Sequence, residues 1–289
     1  MRILLFGAGG MLAHDIKKVF DRDQVVLSDI KQVSADKPTF IADITKRNEV
    51  RELLHKVRPA LAINASAYTD VDGCEEDVDL AYSVNAKGPE NIALACKEYK
   101  AKMVHISSDY VFDGETTVPY KETDLPSPSG MYGKSKLAGE IFVAQALKER
   151  YILRTGLLYG IKRDNFVTKI YSRIKNNEKI TVPDDMYGSP TWTLELARMI
   201  KGIYRTHKFG TYHAVNTGYC SRYEWALKIA GLAGLSGDIQ PIKSATLKTR
   251  AKRPLFSSLD NSKIRAIVPG VLSWEEGLAG FIEELKEKK

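Results

Sequence analysis

Short apolar runs alternate with longer amphipathic segments in the first half of the chain. The apolar runs predict five strands, at 2–6, 24–28, 60–64, 102–107 and 151–155. The segments between them predict a helix that ends at Phe20, a helix over 46–57 capped by Thr45, a mostly helical stretch over about 75–99 with an interruption near Gly88, and a helix over 131–149. Near-continuous apolar strands between helices are typical of a parallel sheet covered on both faces. The pattern therefore predicts an α/β fold with a doubly wound parallel sheet.

The pattern becomes less regular after residue 155. It predicts helices at 166–176, 194–206, 222–233 and 274–286, and one more sheet strand at 211–215. Short apolar pieces, separated by Pro, Gly and Ser, lie at 180–182, 239–242 and 256–259. We interpret them as a smaller lobe over the carboxyl ends of the strands, where ligands bind in open α/β sheets. The expected division is a dinucleotide-binding domain at 1–155 plus about 190–217, and a substrate-binding lobe at about 156–189 plus 218–289.

Composition limits the classes of protein that this chain can belong to. It has 289 residues, of which 44% are hydrophobic. No apolar run reaches the roughly 18 residues of a membrane span, so we expect no membrane partner. The three cysteines are widely spaced and form no C-x-x-C pair. This usage indicates reduced thiols in a cytoplasmic protein, neither a disulfide frame nor a zinc site.

The formal net charge of +7 allows two kinds of partner. One is an anionic ligand such as a nucleotide diphosphate, and the other is a nucleic acid. The densest basic stretch, 243–253, lacks the interleaved aromatic residues of a single-strand binder. We therefore expect no nucleic-acid partner and interpret most of the lysines as solvated.

A glycine-rich turn follows the first predicted strand, with Gly7, Gly10 and Ala13 in the pattern G-x-x-G-x-x-A. Glycines let a pyrophosphate approach the backbone, and the following helix offers it free N–H groups. A plain tight turn is the alternative, but the position at a strand–helix junction favours dinucleotide binding. The residues expected at the cofactor here are Gly7, Gly9, Gly10, Met11 and Leu12.

Acidic residues end or follow the next two apolar runs. Asp29, about 20 residues past the glycines, can hydrogen-bond the ribose 2′-OH and repel a 2′-phosphate. This favours NADH, although Lys31 weakens the preference. Asp43 and Ile44 follow another short apolar run and are expected beside the adenine. Turn or cap residues are the alternative for both aspartates.

Small side chains follow the third predicted strand, at Ala65, Ser66 and Ala67. They leave room for the cofactor to cross the sheet edge. Close packing against a neighbouring element is an equally good interpretation of this segment alone.

The expected chemistry depends on a tyrosine and a lysine four residues apart. Tyr132 and Lys136 share one face at the start of a predicted helix, and an ammonium beside a phenol lowers the pKa of the phenol. Ser108 follows the fourth predicted strand. A hydroxyl at a strand end and a Tyr-x-x-x-Lys helix suggest proton transfer at a carbonyl. A tyrosine and a lysine at this spacing alone are more often surface residues without a catalytic role. We expect Ser108, Tyr132 and Lys136 to be catalytic, with the last two also at the cofactor.

These motifs resemble the extended short-chain dehydrogenases/reductases and, within them, the dTDP-4-dehydrorhamnose reductases. The resemblance covers essentially the whole chain. It is carried by the glycine loop, by 64–72 (NASAYTDVD), 107–114 (SSDYVFDG), 132–140 (YGKSKLAGE) and 188–191 (GSPT), and by the late segments 253–254 (RP) and 258–263. The central segments are the specific part, because the glycine loop and Y-x-x-x-K occur widely.

The resemblance implies a Rossmann-like doubly wound sheet with a smaller mixed α/β substrate lobe. It implies reduction of the 4-keto group of dTDP-4-dehydro-L-rhamnose by NADPH or NADH, with Tyr132 as proton donor. Asp109 matches an aspartate that contacts the sugar, and Asn165 lies in a substrate-side Asn-Phe pair. Leu157 stands where the family often has a tryptophan, and a leucine gives contact area without an indole N–H. Arg253 can bind a diphosphate bidentately, with an ordinary surface arginine as the alternative.

Other functions fit the same motifs. These are a different nucleotide-sugar ketoreductase, an epimerase that retains its NAD, and a non-catalytic regulatory subunit of the methionine adenosyltransferase type. The expected partner is a dTDP-linked deoxysugar, bound by a monomer or homodimer. Magnesium is undecided, since some relatives dimerise through acidic clusters that hold it. Asp15 and Glu195 could stand in such a cluster, but we interpret them as solvated acids.

Overall fold

Thirteen strands occur in the part of the chain that the computed structural model describes, which is residues 1–33 and 38–287. They are β1 (Arg2–Phe6), β2 (Gln24–Asp29), β3 (Thr39–Ile41), β4 (Leu61–Asn64), β5 (Lys102–Ser108), β6 (Arg150–Thr155), β7 (Leu158–Tyr159), β8 (Ile180–Pro183), β9 (Tyr187–Gly188), β10 (Thr191–Trp192), β11 (Gly210–His213), β12 (Cys220–Ser221) and β13 (Ile239–Ile242). Seven of them form one sheet in the order β11-β6-β5-β4-β1-β2-β3. Every neighbouring pair in it is parallel, which confirms the predicted fold class.

Helices connect these strands. They are α1 (Met11–Val19), α2 (Arg47–Val57), α3 (Gly73–Glu76), α4 (Val78–Tyr82), α5 (Gly88–Tyr99), α6 (Met131–Ala146), α7 (Phe166–Lys175), α8 (Thr193–Thr206), α9 (Arg222–Ala233), α10 (Ser262–Arg265) and α11 (Trp274–Glu287). Short 3₁₀ turns cover Asp109–Val111 and Ser244–Thr246. The described residues contain no helix long and apolar enough to cross a membrane.

Alternate residues of β1 show how the sheet is covered. Ile3 and Leu5 are fully buried in a cluster with apolar side chains of α1 and α8. Leu4 and Phe6 point the other way and are buried against α2, α5 and α6. A strand that is apolar on both faces can be stable only between two helical layers, and this is what the continuous apolar runs predicted.

A five-residue π-helical turn, Ser83–Lys87, joins α4 to α5. It accounts for the interruption predicted near Gly88. Within it, Asn85 is fully buried and accepts a 2.9 Å hydrogen bond from the Tyr68 amide. Its Nδ2 donates to the Tyr68 carbonyl at 3.0 Å and to Oγ of Ser135 on α6 at 3.1 Å. The turn therefore fixes the segment after β4 against the helix that carries Tyr132.

The second core belongs to the lobe. It packs α7, α9 and α11 around Trp225, Leu278 and Phe281, and the parallel pair β8–β13 lies beside it. Trp225 is 1% exposed. The division of the chain into two domains at the stated boundaries stays a prediction.

Two local predictions were wrong. Thr45 does not cap α2, because its side chain donates to Asp43 at 2.8 Å and the N-cap residue is Lys46. α6 ends at Ala146, three residues before the predicted end, since Leu147 is already extended and leads into β6. The apolar piece at 256–259 forms two isolated bridges, from Phe256 to Tyr187 and from Leu259 to Tyr120.

Candidate active site

The sheet order reverses beside β1, whose neighbours are β2 on one side and β4 on the other. The crossover connections leave in opposite directions at this point, and a crevice forms outside the carboxyl ends of the strands. The glycine turn follows β1, the Ala65–Ala67 segment follows β4, and Ser108 ends β5. The topology thus brings together the strand-end residues that the sequence predicted for one site.

Gly7 adopts a left-handed backbone, with φ of +77°. A Cβ placed on it would lie 2.7 Å from the Ser66 nitrogen and 2.8 Å from the Ala65 carbonyl carbon, so only glycine fits. Its carbonyl accepts a 2.9 Å hydrogen bond from Gly10. The turn is therefore held tightly against the segment that follows β4.

The start of α1 fits the diphosphate of a dinucleotide. Its N-cap residue, Gly10, has no side chain with which to cap the helix, and the first turn contains no acidic residue. The opening N–H groups, which include those of Met11 and Leu12, are therefore free of capping side chains and lie at the positive end of the helix dipole. The Leu12 side chain is buried in the core, so only its backbone can serve a ligand.

Asp29 lies at the end of β2, as predicted, and anchors the glycine turn. Its Oδ2 accepts a 2.9 Å hydrogen bond from the Gly9 amide and its Oδ1 accepts one of 2.8 Å from the Ile30 amide. Each carboxylate oxygen can accept a second hydrogen bond. The acid can therefore hold the turn and still receive a ribose hydroxyl.

Asp43 and Ile44 have structural contacts. Oδ1 of Asp43 accepts hydrogen bonds from the amide and the hydroxyl of Thr45, at 2.9 and 2.8 Å. Ile44 is 6% exposed, and its side chain packs in the core beside Gly88. These contacts are those of a turn residue, which was the alternative interpretation of Asp43.

The Ala65–Ala67 segment is fixed by the asparagine before it. Asn64 is fully buried, and its Oδ1 accepts a 3.1 Å hydrogen bond from the Ser66 amide. Its Nδ2 lies 3.2 Å from Nδ1 of His105, also fully buried. Burial, followed by the charge of Lys136, lowers the pKa of His105 well below its ordinary value. We therefore interpret His105 as a core residue whose neutral imidazole orients Asn64.

A buried carboxyl, Asp109, follows β5 and is 3% exposed. Oγ of Ser108 donates a 3.0 Å hydrogen bond to its Oδ1, and Oγ of Ser257 donates one of 2.6 Å to its Oδ2. The Ser108 oxygen also accepts from the Tyr110 amide at 3.2 Å. Burial raises the pKa of Asp109 to about 6, against the opposing effect of these hydroxyls and of Arg222.

Tyr132 and Lys136 lie in the first turns of α6, as predicted. Burial raises the pKa of Tyr132, while the Ser108 hydroxyl acts in the opposite direction. The lowering of this pKa by Lys136 stays a prediction. The Lys136 ammonium donates a 2.6 Å hydrogen bond to the Ile106 carbonyl. Burial lowers its pKa to about 8, and Glu140 opposes the change.

The motif analysis did not identify a buried ion pair that holds α6 against the sheet. Arg154 of β6 donates to both carboxylate oxygens of Glu140, with distances of 2.8 to 3.1 Å. Both side chains are 6% exposed. Oγ of Ser107 donates to the same carboxylate at 2.5 Å. The network ties α6 to the two strands whose ends carry the site.

Glu75 of α3 is a second residue that the motif analysis did not identify. Its Oε1 accepts a 2.7 Å hydrogen bond from the amide of Met131, the first residue of α6. A carboxylate is favourable at a helix N-terminus. Its position in another helix explains why the local sequence of α6 gave no sign of it.

Leu157 and Asn165 lie near the lobe. Leu157 has a left-handed backbone, with φ of +45°, and its side chain packs on Gly188. Asn165 caps α7, accepting from the Val167 and Thr168 amides. Its Nδ2 donates to the carbonyls of Gly160 and Arg163 at 2.7 and 2.9 Å. The amide that we expected at the substrate therefore serves its own loop and helix.

Arg253 belongs to a basic segment, 249–253, that acidic residues hold in place. Its Nη2 donates to Asp72 at 3.0 Å, and Asp72 also accepts a 3.0 Å hydrogen bond from the Ala251 amide. Arg250 pairs with Glu76. Nε of Arg253 is buried and has no hydrogen-bond partner among the described residues. One side of this guanidinium thus remains for an anion.

Asp15 and Glu195, interpreted as solvated acids, are buried. Asp15 is 1% exposed and accepts a 2.5 Å hydrogen bond from Oγ1 of Thr193. Glu195 is 2% exposed and pairs with Arg198. The described residues contain no group of three or more His, Cys, Asp or Glu side chains that could hold a metal ion.

Comparisons with known proteins identify the family of this chain. A dTDP-4-dehydrorhamnose reductase from Streptomyces griseus is 35% identical, covering 92% of this chain and 87% of that protein. A dTDP-4-keto-6-deoxy-D-glucose reductase from Streptomyces niveus is 32% identical, covering 91% and 90%. The crystal structure of the dTDP-4-dehydrorhamnose reductase of Bacillus anthracis in complex with NADP matches with a TM-score of 0.92 at 36% identity, covering 98% of this chain and 99% of that one. The family model described as RmlD substrate binding domain matches residues 1–287, and the chain belongs to that family.

Proposed function

We propose that this protein is an NAD(P)H-dependent reductase that converts the 4-keto group of dTDP-4-dehydro-L-rhamnose to the alcohol of dTDP-L-rhamnose. The observation that carries the proposal is the 2.6 Å hydrogen bond from Lys136 on α6 to the Ile106 carbonyl of β5, the strand whose end carries Ser108 and Asp109. Tyr132 precedes this lysine by about one helical turn. The names of the family relatives support the substrate class.

The nicotinamide supplies a hydride to C4 of the sugar when it is bound. Tyr132 gives its proton to the carbonyl oxygen, so that one hydride and one proton complete the alcohol. The raised pKa of Tyr132 keeps the phenol protonated until it is needed. The Lys136 ammonium lies on the same face of α6 and stabilises the phenolate that remains. With its pKa at about 8, the lysine is mostly charged at neutral pH.

Ser108 orients the carbonyl oxygen. In the structure, the Ser108 hydroxyl donates its proton to Asp109 at 3.0 Å. Its oxygen can therefore accept a hydrogen bond from the Tyr132 hydroxyl. When substrate enters, the serine can turn its proton to the ketone. Asp109 fixes the serine and contacts the sugar in this proposal.

The remaining site residues are assigned to ligands by the same proposal. Gly7, Gly9, Gly10, Met11 and Leu12 would bind the cofactor diphosphate through the backbone. Other cofactor contacts would come from Asp29, Asp43, Ile44, Ala65, Ser66, Ala67, Tyr132 and Lys136. The substrate would contact Ser108, Asp109, Leu157, Asn165 and Arg253.

The test is oxidation of NADPH, and separately of NADH, with dTDP-4-dehydro-L-rhamnose as acceptor. Stoichiometric formation of dTDP-L-rhamnose with either cofactor supports the proposal. If neither cofactor is oxidised, the proposal is contradicted. Tightly bound NAD with no net consumption of added NADH would favour an epimerase instead.

The second candidate substrate is dTDP-4-keto-6-deoxy-D-glucose. It is favoured by the name of the Streptomyces niveus relative. The two candidates differ in sugar configuration, so a comparison of kcat/KM for the two keto-sugars decides between them. A ratio above about tenfold corresponds to about 1.4 kcal/mol of differential transition-state binding.

A further inference from the structure

Arg222 is a cation on the pocket side of the lobe to which no role has been assigned. It is the first residue of α9, and its backbone amide donates to the Met186 carbonyl at 3.0 Å. Its guanidinium lies over the rings of Phe166 and Trp225, 5.6 and 5.7 Å from their centroids. The described part of the chain offers its side chain no hydrogen bond or ion pair.

This is an unfavourable place for a positive charge. The N-terminus of a helix is the positive end of its dipole, so a cation at the first position is repelled. Burial lowers the pKa of Arg222, and the nearby charge of Arg253 acts in the same direction. Tyr110 and Asp109 oppose these effects, but the hydrogen bonds that the Asp109 carboxyl accepts come from Ser108 and Ser257, and none comes from Arg222. A bound anion would balance the positive charges of Arg222 and Arg253.

The neighbours of Arg222 are those of the proposed substrate pocket. The residue before it, Ser221, pairs with Tyr187 in the β9–β12 ladder. Gly188 of that ladder faces Leu157 and Ser257, and Ser257 binds Asp109. Phe166, under the guanidinium, follows Asn165 directly. An anion bound here would lie between the sugar-reducing residues and the basic segment that carries Arg253.

We propose that Arg222 binds the diphosphate of the nucleotide-sugar substrate, sharing it with the free edge of Arg253. This inference rests on the proposed function for the identity of the substrate. A planar guanidinium can donate two parallel hydrogen bonds to phosphate oxygens, and that of Arg222 lies over the stacked rings of Phe166 and Trp225. Binding of the anion would relieve the repulsion between the two arginines.

Binding of dTDP by titration calorimetry tests this, with thymidine as the probe that lacks phosphate. Arg222→Met keeps the stem on the rings and removes the charge, and Arg222→Lys keeps the charge and removes the fork. Arg205→Met, on the exposed side of α8, is a control for net charge. We expect Arg222→Met to weaken dTDP binding about tenfold or more, as for loss of a charged hydrogen bond, with the lysine variant intermediate. Thymidine binding and the Arg205→Met control should change by less than about threefold.

Unchanged dTDP affinity in Arg222→Met, or an equal loss for thymidine, would overturn the inference. So would a wild-type protein that fails to bind dTDP. If the methionine variant does not fold, Arg222→Lys must still weaken dTDP binding by at least about threefold, and wild-type affinity in that variant is the contrary result. These measurements need no turnover. A negative NADPH-oxidation assay would contradict the proposed function, whereas the diphosphate assignment could still be confirmed by binding alone.

Discussion

Oγ of Ser257, from the lobe, lies 2.6 Å from Oδ2 of Asp109, the acid that directly follows β5. Ser108 donates to the other oxygen of the same carboxyl. One buried acid therefore connects the lobe to the hydroxyl that we place at the substrate carbonyl. Burial nevertheless raises the pKa of Asp109 to about 6.

This pKa makes stability depend on pH. The folded chain keeps the Asp109 proton up to about pH 6, whereas the unfolded chain releases it near pH 4. Between these values the unfolded state binds fewer protons, so the free energy of unfolding falls as pH rises. Asp109→Asn removes this titration. Relative to the variant, the wild type should lose about 3 kcal/mol between pH 3.5 and 7, at about 1.4 kcal/mol for each pH unit of pKa change.

Urea unfolding of both proteins across that range measures the difference. Asp79→Asn, at an exposed position of α4, is the matched control and should run parallel to the wild type. Parallel curves for Asp109→Asn and the wild type would show that the carboxyl is not held protonated.

Gly7 and Gly234 form a second comparison. Both have positive φ, +77° and +70°, but a Cβ on Gly234 would meet nothing within 4 Å, whereas one on Gly7 would meet the backbone of Ser66 at 2.7 Å. Gly234→Ala should cost about 1 kcal/mol for the backbone conformation alone. Gly7→Ala should cost at least about 2 kcal/mol more, because main chain must move. It should also weaken NADPH binding. Equal losses of unfolding free energy would mean that the turn is not tightly packed.

Removal of the Tyr132 hydroxyl tests the proton donor. Tyr132→Phe keeps the ring contact with Tyr110, whose centroid is 5.6 Å away. Turnover should fall by about 10² to 10⁴, the usual range for general acid catalysis, with thermal stability and NADPH affinity near wild type. Tyr204→Phe on α8 is the control and should retain activity. A loss of less than tenfold in Tyr132→Phe would assign the proton to another group.

Two glutamate–arginine pairs with the same bidentate contacts differ in burial. Glu140 and Arg154 are each 6% exposed, whereas Arg51 and Glu98 are 57% and 41% exposed. Glu140→Gln should cost about 3 to 5 kcal/mol, because it leaves the Arg154 charge buried and unpaired. Glu98→Gln should cost much less, because water screens that exposed pair. Denaturant unfolding gives both numbers, and similar losses would mean that water reaches Arg154.

Glu140 also raises the pKa of Lys136, so its removal should have a catalytic effect. In Glu140→Gln the lysine should lose its proton at a lower pH than about 8. The alkaline limb of the kcat profile would then move to lower pH. If the alkaline limb of the kcat profile stays at the wild-type pH, Lys136 does not need its charge for turnover.

The sheet and most of the site were predictable because both follow from local rules. Apolar runs such as 2–6 gave the strands, and parallel strands place their carboxyl ends on one edge, so Gly7, Ser66 and Ser108 had to meet there. The four-residue spacing of Tyr132 and Lys136 gave their shared face. No long-range information was needed for these steps.

Several features that the sequence did not predict depend on contacts between distant segments. The Glu75 cap on α6 comes from another helix, and Asp15 is buried only because α8 packs on α1 with Thr193 beside it. Lys136 turned to the Ile106 carbonyl, a partner 30 residues away. Neither spacing nor composition records which distant backbone group lies nearest to a side chain.

The π-helical turn Ser83–Lys87 sets a limit on how chains of this kind can change in length. Loss of one residue there would restore α-helical spacing and rotate Asn85 by about 100°, away from both Tyr68 and Ser135. An insertion would displace it equally. Deletions and insertions should therefore be rare between 83 and 87 and common in the exposed loop near Glu115 and Val118, because only the loop can absorb a change in chain length without turning a buried side chain.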